Sequence, residues 1–477
     1  MGMDRSPRIP TELWYEVLSY LLKRDQLQYR LVSREWSRIA LPFCFETLQF
    51  GFDADSINNL VQVARRKEFA RHVQKLVLRN SRKLPEFDSF VKWKDHISLP
   101  GDPSRDSRPL IGGSEYEKLM PYQEWLHLAD NEKEAVYQVY EADRKRMDTE
   151  YETYGMICNK WKLDTPEFTQ LKEALAGFSN LRTFSHTPRA MFEEFMHIRW
   201  RQLRIQGGAL IAPIPRNGEE NEALQLSIVL SALGCTEQSH PKLRSISFYT
   251  LDLPFWDPGS LPRLWQKHGI IGDIRDVDKT YTLEEGSLQN DPYARQLANM
   301  KQALAGLTHL SCIISEVERI SGPLIAIRPI FDFIRHGENL ERVHLTFGRL
   351  KRPPFILAGG SYSILAKPHK LLDLLATHRP WSKLRELELR MVTTEDALLR
   401  FLVSLAPTLR HLSLTNITLR RNDGMWASAL PRIASSLDLD VFKLFRLYDY
   451  GPQGETRLYF SRRARVWSAD MIPVLEE

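Results

Sequence analysis

Cysteine is scarce in this chain. Cys44, Cys158, Cys235 and Cys312 stand far apart among 477 residues, with no C-x-x-C pair. That spacing excludes a disulfide framework and a zinc ribbon, so the thiols read as reduced, mostly buried groups of a cytoplasmic or nuclear protein. Long apolar runs are missing as well. No stretch approaches the ~20 residues needed to cross a bilayer. The opening "MGMDRSPRIP" also lacks the apolar segment of a secretory leader. No membrane is expected as a partner. Nor is there an excess of charge of one sign. With 65 basic against 60 acidic residues, the net charge of +5 is slight for this length and does not argue for nucleic acid. Short clusters at Arg65-Arg66-Lys67, Arg420-Arg421 and Arg462-Arg463 read as solvated helix faces and loops.

Catalytic signatures are absent too. There is no G-x-x-x-x-G-K-S/T loop for phosphates, no G-x-G-x-x-G after a strand, no G-x-S-x-G elbow and no H-E-x-x-H helix. The thirteen histidines are scattered without paired metal-ligand spacing, and His186, His309 and His411, beside strand patterns, read as structural or surface groups. The expectation is a protein with no catalytic residues, no cofactor and no metal.

What the chain does have begins with "IPTELWYEVLSYLLKRDQLQYRLVSREW", residues 9 to 36. Pro10 sits where a helix would start, since the first-turn amide has no intrahelical partner. Leu13, Trp14, Val17, Leu18, Leu21 and Leu22 then form a broad apolar stripe on one helix. Asp25 can cap a second short helix with Leu27, Leu31 and Val32. Ser33 can cap a third with Trp36, Ile39 and Ala40, which Pro42 is expected to end. A unit this small builds little core of its own. Either it folds onto the rest of the chain or part of its apolar face belongs to another protein.

A second rhythm follows. Amphipathic helical segments are repeatedly succeeded by leucine-x-x-leucine-x-leucine or a variant. Examples are "LRELEL" from Leu384, "LRHLSL" from Leu409 and "LERVHL" from Leu340, with looser cases at Val73, Leu181, Leu243 and Leu307. With 43% apolar residues the three positions match by chance in roughly 8% of windows, so the preceding helix is the stronger signal. In a strand the second and third apolar residues of the pattern share one face, and the first turns inward from the loop. Helix-then-strand units of this kind stack into an α/β solenoid, each burying its face only against neighbours. The spacing is irregular. Only the step from Leu384 to Leu409, 25 residues, falls in the regular ~20–29 range, so the longer gaps must hold insertions.

Two insertions stand out. Residues 98–114, rich in Pro, Gly and Ser, read as a loop. From Glu115 to Lys160 a charged stretch carries Tyr137, Tyr140, Met147, Tyr151 and Tyr154 at heptad-like spacing, read as a helix lying against the array or binding a partner. Residues 256–293 read as a surface loop. In the tail, alternating segments flank "GPQG", a hairpin signal that would close the last sheet edge. The organisation expected is therefore 8–50, a three-helix unit; 51–97, a first helix-strand unit; 98–160, the insertion; 161–440, the irregular array; and 441–477, a hairpin and cap.

Residues 9–36 resemble an F-box, and the likeness extends loosely from Arg8 to Phe50. Members of that family show leucine-proline-x-glutamate-leucine, an apolar helix, an aspartate-leucine segment and arginine-leucine-valine-serine-arginine-x-tryptophan. Here these stand as Ile9-Pro10-Thr11-Glu12-Leu13, then Val17, Leu18 and Leu21, then Asp25 and Leu27, and "RLVSREW" from Arg30 to Trp36. Departures are Ile9, Lys23-Arg24 in place of a frequent proline, and Gln26 where an apolar residue is common, which would weaken one edge of the contact. Followed by leucine-rich units, the chain resembles fungal-type F-box and leucine-rich-repeat proteins. The resemblance implies a non-catalytic adaptor of a ubiquitin ligase. Pro10, Leu13, Val17, Leu18, Leu21, Leu27, Val32 and Trp36 would dock on a Skp-family adaptor, and through it a cullin, while the solenoid holds an unidentified protein substrate. The alternative implied is a scaffold that binds the Skp adaptor without ubiquitin transfer. Which of the eight residues face the adaptor and which hold the helices together stays open at this level.

Overall fold

The structure, a computed structural model, describes residues 11–21, 23–52, 54–80, 89–91, 161, 165–188, 216–235, 243–251, 255, 292–314, 327–347, 368–420, 425–451 and 454–458, with isolated positions from 129 to 145. In chain order the elements are α1 (Thr11–Tyr20), α2 (Lys23–Tyr29), α3 (Arg34–Phe45), β1 (Thr47–Phe50), α4 (Ala54–Arg65), α5 (Lys67–Ala70), β2 (Lys75–Asn80), α6 (Pro166–Gly177) and β3 (Thr183–Pro188). Then come α7 (Arg216–Cys235), β4 (Ser245–Leu251), α8 (Pro292–Ala305), β5 (His309–Ile314), α9 (Ile327–Ile334), β6 (Arg342–Phe347), α10 (Pro368–His378), β7 (Glu386–Arg390) and β8 (Val392–Thr393). The last are α11 (Glu395–Ser404), β9 (His411–Thr415), β10 (Thr418–Arg420), α12 (Trp426–Ser436), β11 (Val441–Phe445), β12 (Leu447–Gly451) and β13 (Gly454–Leu458).

The fold is α/β. Nine strands form one sheet in the order β1-β2-β3-β4-β5-β6-β7-β9-β11, and every pair is parallel. The sheet is open rather than closed. All seven leucine-pattern starts lead into strands of it, each strand beginning two residues after the first apolar position, as in Leu340 before Arg342 and Leu409 before His411. The register explains why. Leu76, Phe184, Ile246, Leu310, Val343, Leu387, Leu412 and Phe442 stand side by side in one buried row, fed by β1 from Leu48. Two residues on, Phe50, Leu78, Phe248, Cys312, Leu345, Leu389 and Leu414 form a second row, in which His186, only 1% exposed, replaces an apolar side chain. Alternate residues point to the other face, as a pleated strand requires.

Each turn into a strand is locked in the same way. The carbonyl of Gln74 accepts from Arg182 and Thr183 amides, Arg182 from Arg244 and Ser245, Arg244 from Thr308 and His309, and so on through Arg410, which accepts from Asp440 and Val441. Asn180 and Asn339, each just before a first apolar residue, add side-chain amide bonds to the preceding unit's carbonyls of Arg71 and Ala305. The helices pack in sequence along one face: α4 on α6, α6 on α7 and α7 on α8, then α9 on α10, α10 on α11 and α11 on α12. One continuous core joins them to the sheet. Helices α7 and α8 approach so closely that a Cβ on Gly234 would overlap the Asn299 carbonyl.

Two strands extend the sheet beyond the seven expected. β1, within the segment 8–50, begins after Phe45 in "FETLQF", and β11 begins after Leu439 in "LDVFKL". Both carry the same apolar spacing. The "GPQG" hairpin forms as β12 paired antiparallel with β13. It does not close the edge at β11, however. Among the described residues it extends a second sheet, β13-β12-β10-β8, because Arg446 turns the chain away from β11. Pro42 does not end α3 either. The helix runs on to Phe45, held on both sides of the proline by Ala40 and Cys44, which are buried. Most of 98–160 and 256–293 lies outside the described residues. Positions 130, 131, 134, 137, 138, 141, 142 and 145 are helical, and the Tyr137 ring lies 5.8 Å from Phe90.

Candidate partner-binding surfaces

The N-terminal unit owes its shape to a small interior. Leu18, Ala40 and Cys44 are its buried centre, with Leu21, Tyr29, Ile39, Phe43 and Phe45 packed against them. Ser33 accepts the Trp36 amide at 3.2 Å and so starts α3. Trp36 then stands edge-on to Trp14, with ring centres 4.2 Å apart, and meets Tyr29 at 5.2 Å. Gln26 is the residue that sequence reasoning placed wrongly. It faces inward, 9% exposed, and its Nε2 donates to the carbonyls of Leu18 (2.8 Å) and Leu21 (3.2 Å). Both carbonyls lie at the end of α1, where the Leu18 carbonyl also accepts the Leu21 amide at 3.2 Å, so the buried Gln26 amide adds hydrogen bonds to the helix end rather than lying on the outer surface.

The eight singled-out residues separate accordingly. Leu18 is fully buried, Leu21 packs on that centre, and Trp36 is half-buried in the aromatic group, so these three hold the helices together. Leu13 (50% exposed), Val17 (41%), Leu27 (42%) and Val32 (68%) point to solvent. Pro10 lies outside the described residues. Tyr15, Tyr20 and Leu31 join the outward set, which sequence reasoning did not single out. Their signal was present, since Tyr20 and Leu31 neighbour the chosen positions, but a helical wheel cannot tell which apolar side is covered. Of the eleven large apolar side chains exposed among the described residues, these seven between Leu13 and Val32 are the majority. Exposed apolar side chains gathered on one short unit go beyond the single scattered ones that are ordinary on a protein surface.

The unit is fastened to the array. Phe45 at the end of α3 stacks on Phe69 of α5, with ring centres 4.5 Å apart and planes 6° from parallel. The Arg30 guanidinium lies over both rings, at 5.7 and 6.0 Å, and Arg66 lies 5.6 Å from Phe69. The Glu46 carbonyl accepts the amides of Gln74 and Lys75, both at 2.9 Å. The apolar surface and the sheet therefore share one frame.

The second surface is the face of the sheet away from the helices. From β5 onward it carries His309, Ser311, Arg342, His344, Glu386, Glu388, His411 and Ser413 in aligned rows. Arg342 pairs with Glu386 at 3.5 Å, His344 with Glu388 at 3.7 Å and His411 with Asp440 at 4.0 Å. Partial burial, and then the charge of Arg342, hold the His309 imidazole below its ordinary pKa. The arrangement is a mixed polar sheet surface of cross-strand ion pairs. Among the described residues no group of His, Cys, Asp and Glu is placed to hold a metal, and no helix is long and apolar enough to cross a membrane. No protein-family model matches the chain, and no curated protein matches it.

Proposed function

We propose that the chain is the substrate-recognition adaptor of a Skp–cullin–F-box ubiquitin ligase. In this reading the three-helix unit is an F-box, and the parallel sheet with its row of helices is a leucine-rich-repeat-like solenoid. The observation that carries it is the clustering of Leu13, Val17, Leu27 and Val32, with Tyr15, Tyr20 and Leu31, on a unit whose own interior is already filled. An apolar surface of this kind loses water-exposed area when a Skp-family adaptor covers it, which is the main favourable term in association. The F-box-like order of residues 9–36 supplies the identity of that partner. The repeated strand register and the shared carbonyl ladder support the solenoid.

The adaptor works by proximity, without a catalytic group, cofactor or metal of its own. Holding a substrate near a charged ubiquitin-conjugating enzyme raises the effective concentration of its lysines. The Phe45–Phe69 stack helps that mechanism by fixing the adaptor-binding unit relative to the sheet. The setting is the cytoplasm or nucleus, where such ligases act. The test is co-purification of the full chain with a Skp-family adaptor and a cullin. Adaptor binding that survives removal of the outward residues refutes the docking face, and an adaptor complex devoid of cullin favours a scaffold role instead.

A further inference from the structure

Each strand of the large sheet opens on two residues, the one whose carbonyl joins the ladder and the one after it. On β2, β3 and β4 these pairs are Gln74-Lys75, Arg182-Thr183 and Arg244-Ser245. The ladder sets them side by side. The Arg182 amide donates to the Gln74 carbonyl and the Arg244 amide to the Arg182 carbonyl, both at 2.8 Å. Lys75, Thr183 and Ser245 are then partners in register across the three strands. Gln74, Lys75, Arg182 and Arg244 are exposed, and Thr183 and Ser245 are half-buried.

These six positions hold three cations, three neutral hydrogen-bonding side chains and no carboxylate. Among the described residues none of the six side chains has a hydrogen bond, an ion pair or a ring contact. The same rim is built differently further along. Arg342 meets Glu386 at 3.5 Å, Arg410 meets Asp438 at 4.0 Å and His411 meets Asp440 at 4.0 Å. On β5 the Thr308 hydroxyl turns to the Arg244 carbonyl and brings no charge. On β1 the corresponding pair is Glu46-Thr47, and Glu46 makes no ion pair with Lys75. Charge is therefore balanced from β6 onward and left unbalanced where β2, β3 and β4 begin. Like charges one strand apart, about 4.8 Å, disfavour folding, so the sheet itself gains nothing from Arg182 beside Arg244.

We infer that this rim docks an acidic peptide segment of a partner protein. Carboxylates of an extended segment lie on Lys75, Arg182 and Arg244, and Gln74, Thr183 and Ser245 donate hydrogen bonds between them. The cations are strung over two strand steps, about 10 Å, which suits single charges along an extended chain rather than one compact anion. Arginine takes a carboxylate through two hydrogen bonds. None of the six positions offers a ring on which a base could stack, which disfavours a nucleic acid. That the partner is a ubiquitination substrate rests on the adaptor reading above. The docking itself does not.

The test uses the full chain and a fluorescently labelled short peptide of alternating Glu and Ala, against the same peptide with Gln for Glu. Two substitutions copy the same rim position of the neighbouring unit, Arg182→Gln from Gln74 and Arg244→Thr from Thr308, and so suit the backbone they enter. Arg385→Gln, at that position on β7 beside Glu341 and Glu386, is the control. The acidic peptide is expected to bind and its amide counterpart not to. Each of the two substitutions should weaken binding about fivefold at low salt, the upper worth of an exposed ion pair, and the two together about twentyfold. Arg385→Gln should leave it unchanged. Skp-adaptor binding, measured on the same samples, should be unaffected by all three, so failure of the adaptor reading shows separately. Equal binding of the two peptides, full affinity of the double variant, an equal loss in Arg385→Gln, or tighter binding of a single-stranded oligonucleotide of the same charge would each overturn the inference.

Discussion

The double substitution Leu13→Ala and Val32→Ala tests the division of the N-terminal unit most directly. Leu13 is 50% and Val32 68% exposed, so roughly half of one side chain and a third of the other stabilise the free protein. At about 0.8 kcal/mol per buried methylene, Leu→Ala removes about 2.4 kcal/mol and Val→Ala about 1.6 when burial is complete. Scaled by exposure, the variant loses about 1.5–2 kcal/mol of local stability. The remaining area, which a Skp-family adaptor would cover under the proposed function, amounts to about 2.3 kcal/mol, or about fiftyfold in Kd. Leu18→Ala should behave in the opposite way. Leu18 is fully buried, so its truncation adds a cavity term and costs about 3–5 kcal/mol. Calorimetric titration of the full chain with the purified adaptor gives the affinity. Hydrogen exchange at the amides of α1 and α3 gives the stability. The reasoning fails if the double variant binds with wild-type affinity, or if it loses as much amide protection as Leu18→Ala.

Gln26→Leu introduces an apolar side chain but removes the side-chain donor that the Leu18 and Leu21 carbonyls share, so α1 should lose about 1–3 kcal/mol of protection. An unchanged exchange profile would show that the amide cap is idle. Gly234→Ala must push α7 from α8 and should destabilise the array by about 1–3 kcal/mol in urea unfolding. A neutral result would mean that the helices slide apart freely. Glu395, 4% exposed, accepts from the Met425 amide (3.0 Å), the Ser428 hydroxyl (2.6 Å) and Arg432 (3.0 Å), so Glu395→Ala should loosen α12 by about 2 kcal/mol, read by exchange at its first turn. Burial, first among the causes, lowers the pKa of His72, His309 and His336 below the ordinary 6.5. The unfolded chain therefore takes up protons first. This contribution to stability is complete above pH 6.5 and is lost as pH falls through and below that value. The NMR titration of His309 should have its midpoint below 6.5, and a midpoint at or above it refutes the assignment.

The strands were the legible part of the chain. Their signal is local: an apolar residue entering from a turn, then two on one face of a pleat, within six residues. It held at every position from Val73 to Leu409. The same spacing stood unread at Phe45 and Leu439, the first masked by continuity with α3 and the second by the hairpin after it. The corner at Arg446 was invisible for a different reason. A left-handed residue is signalled by glycine or asparagine, and here an arginine adopts it.

The sequence alone determined that this is an α/β chain of helix-strand units behind a short apolar three-helix segment, because period and spacing are carried by neighbouring residues. Only the tertiary structure decided which apolar residues of that segment are core. Leu18 and Leu13 both belong to the broad apolar stripe of α1. One is sealed against Ala40 and Cys44 and the other stands half in water, because the angles among three helices, and not the stripe on any one of them, choose what is covered.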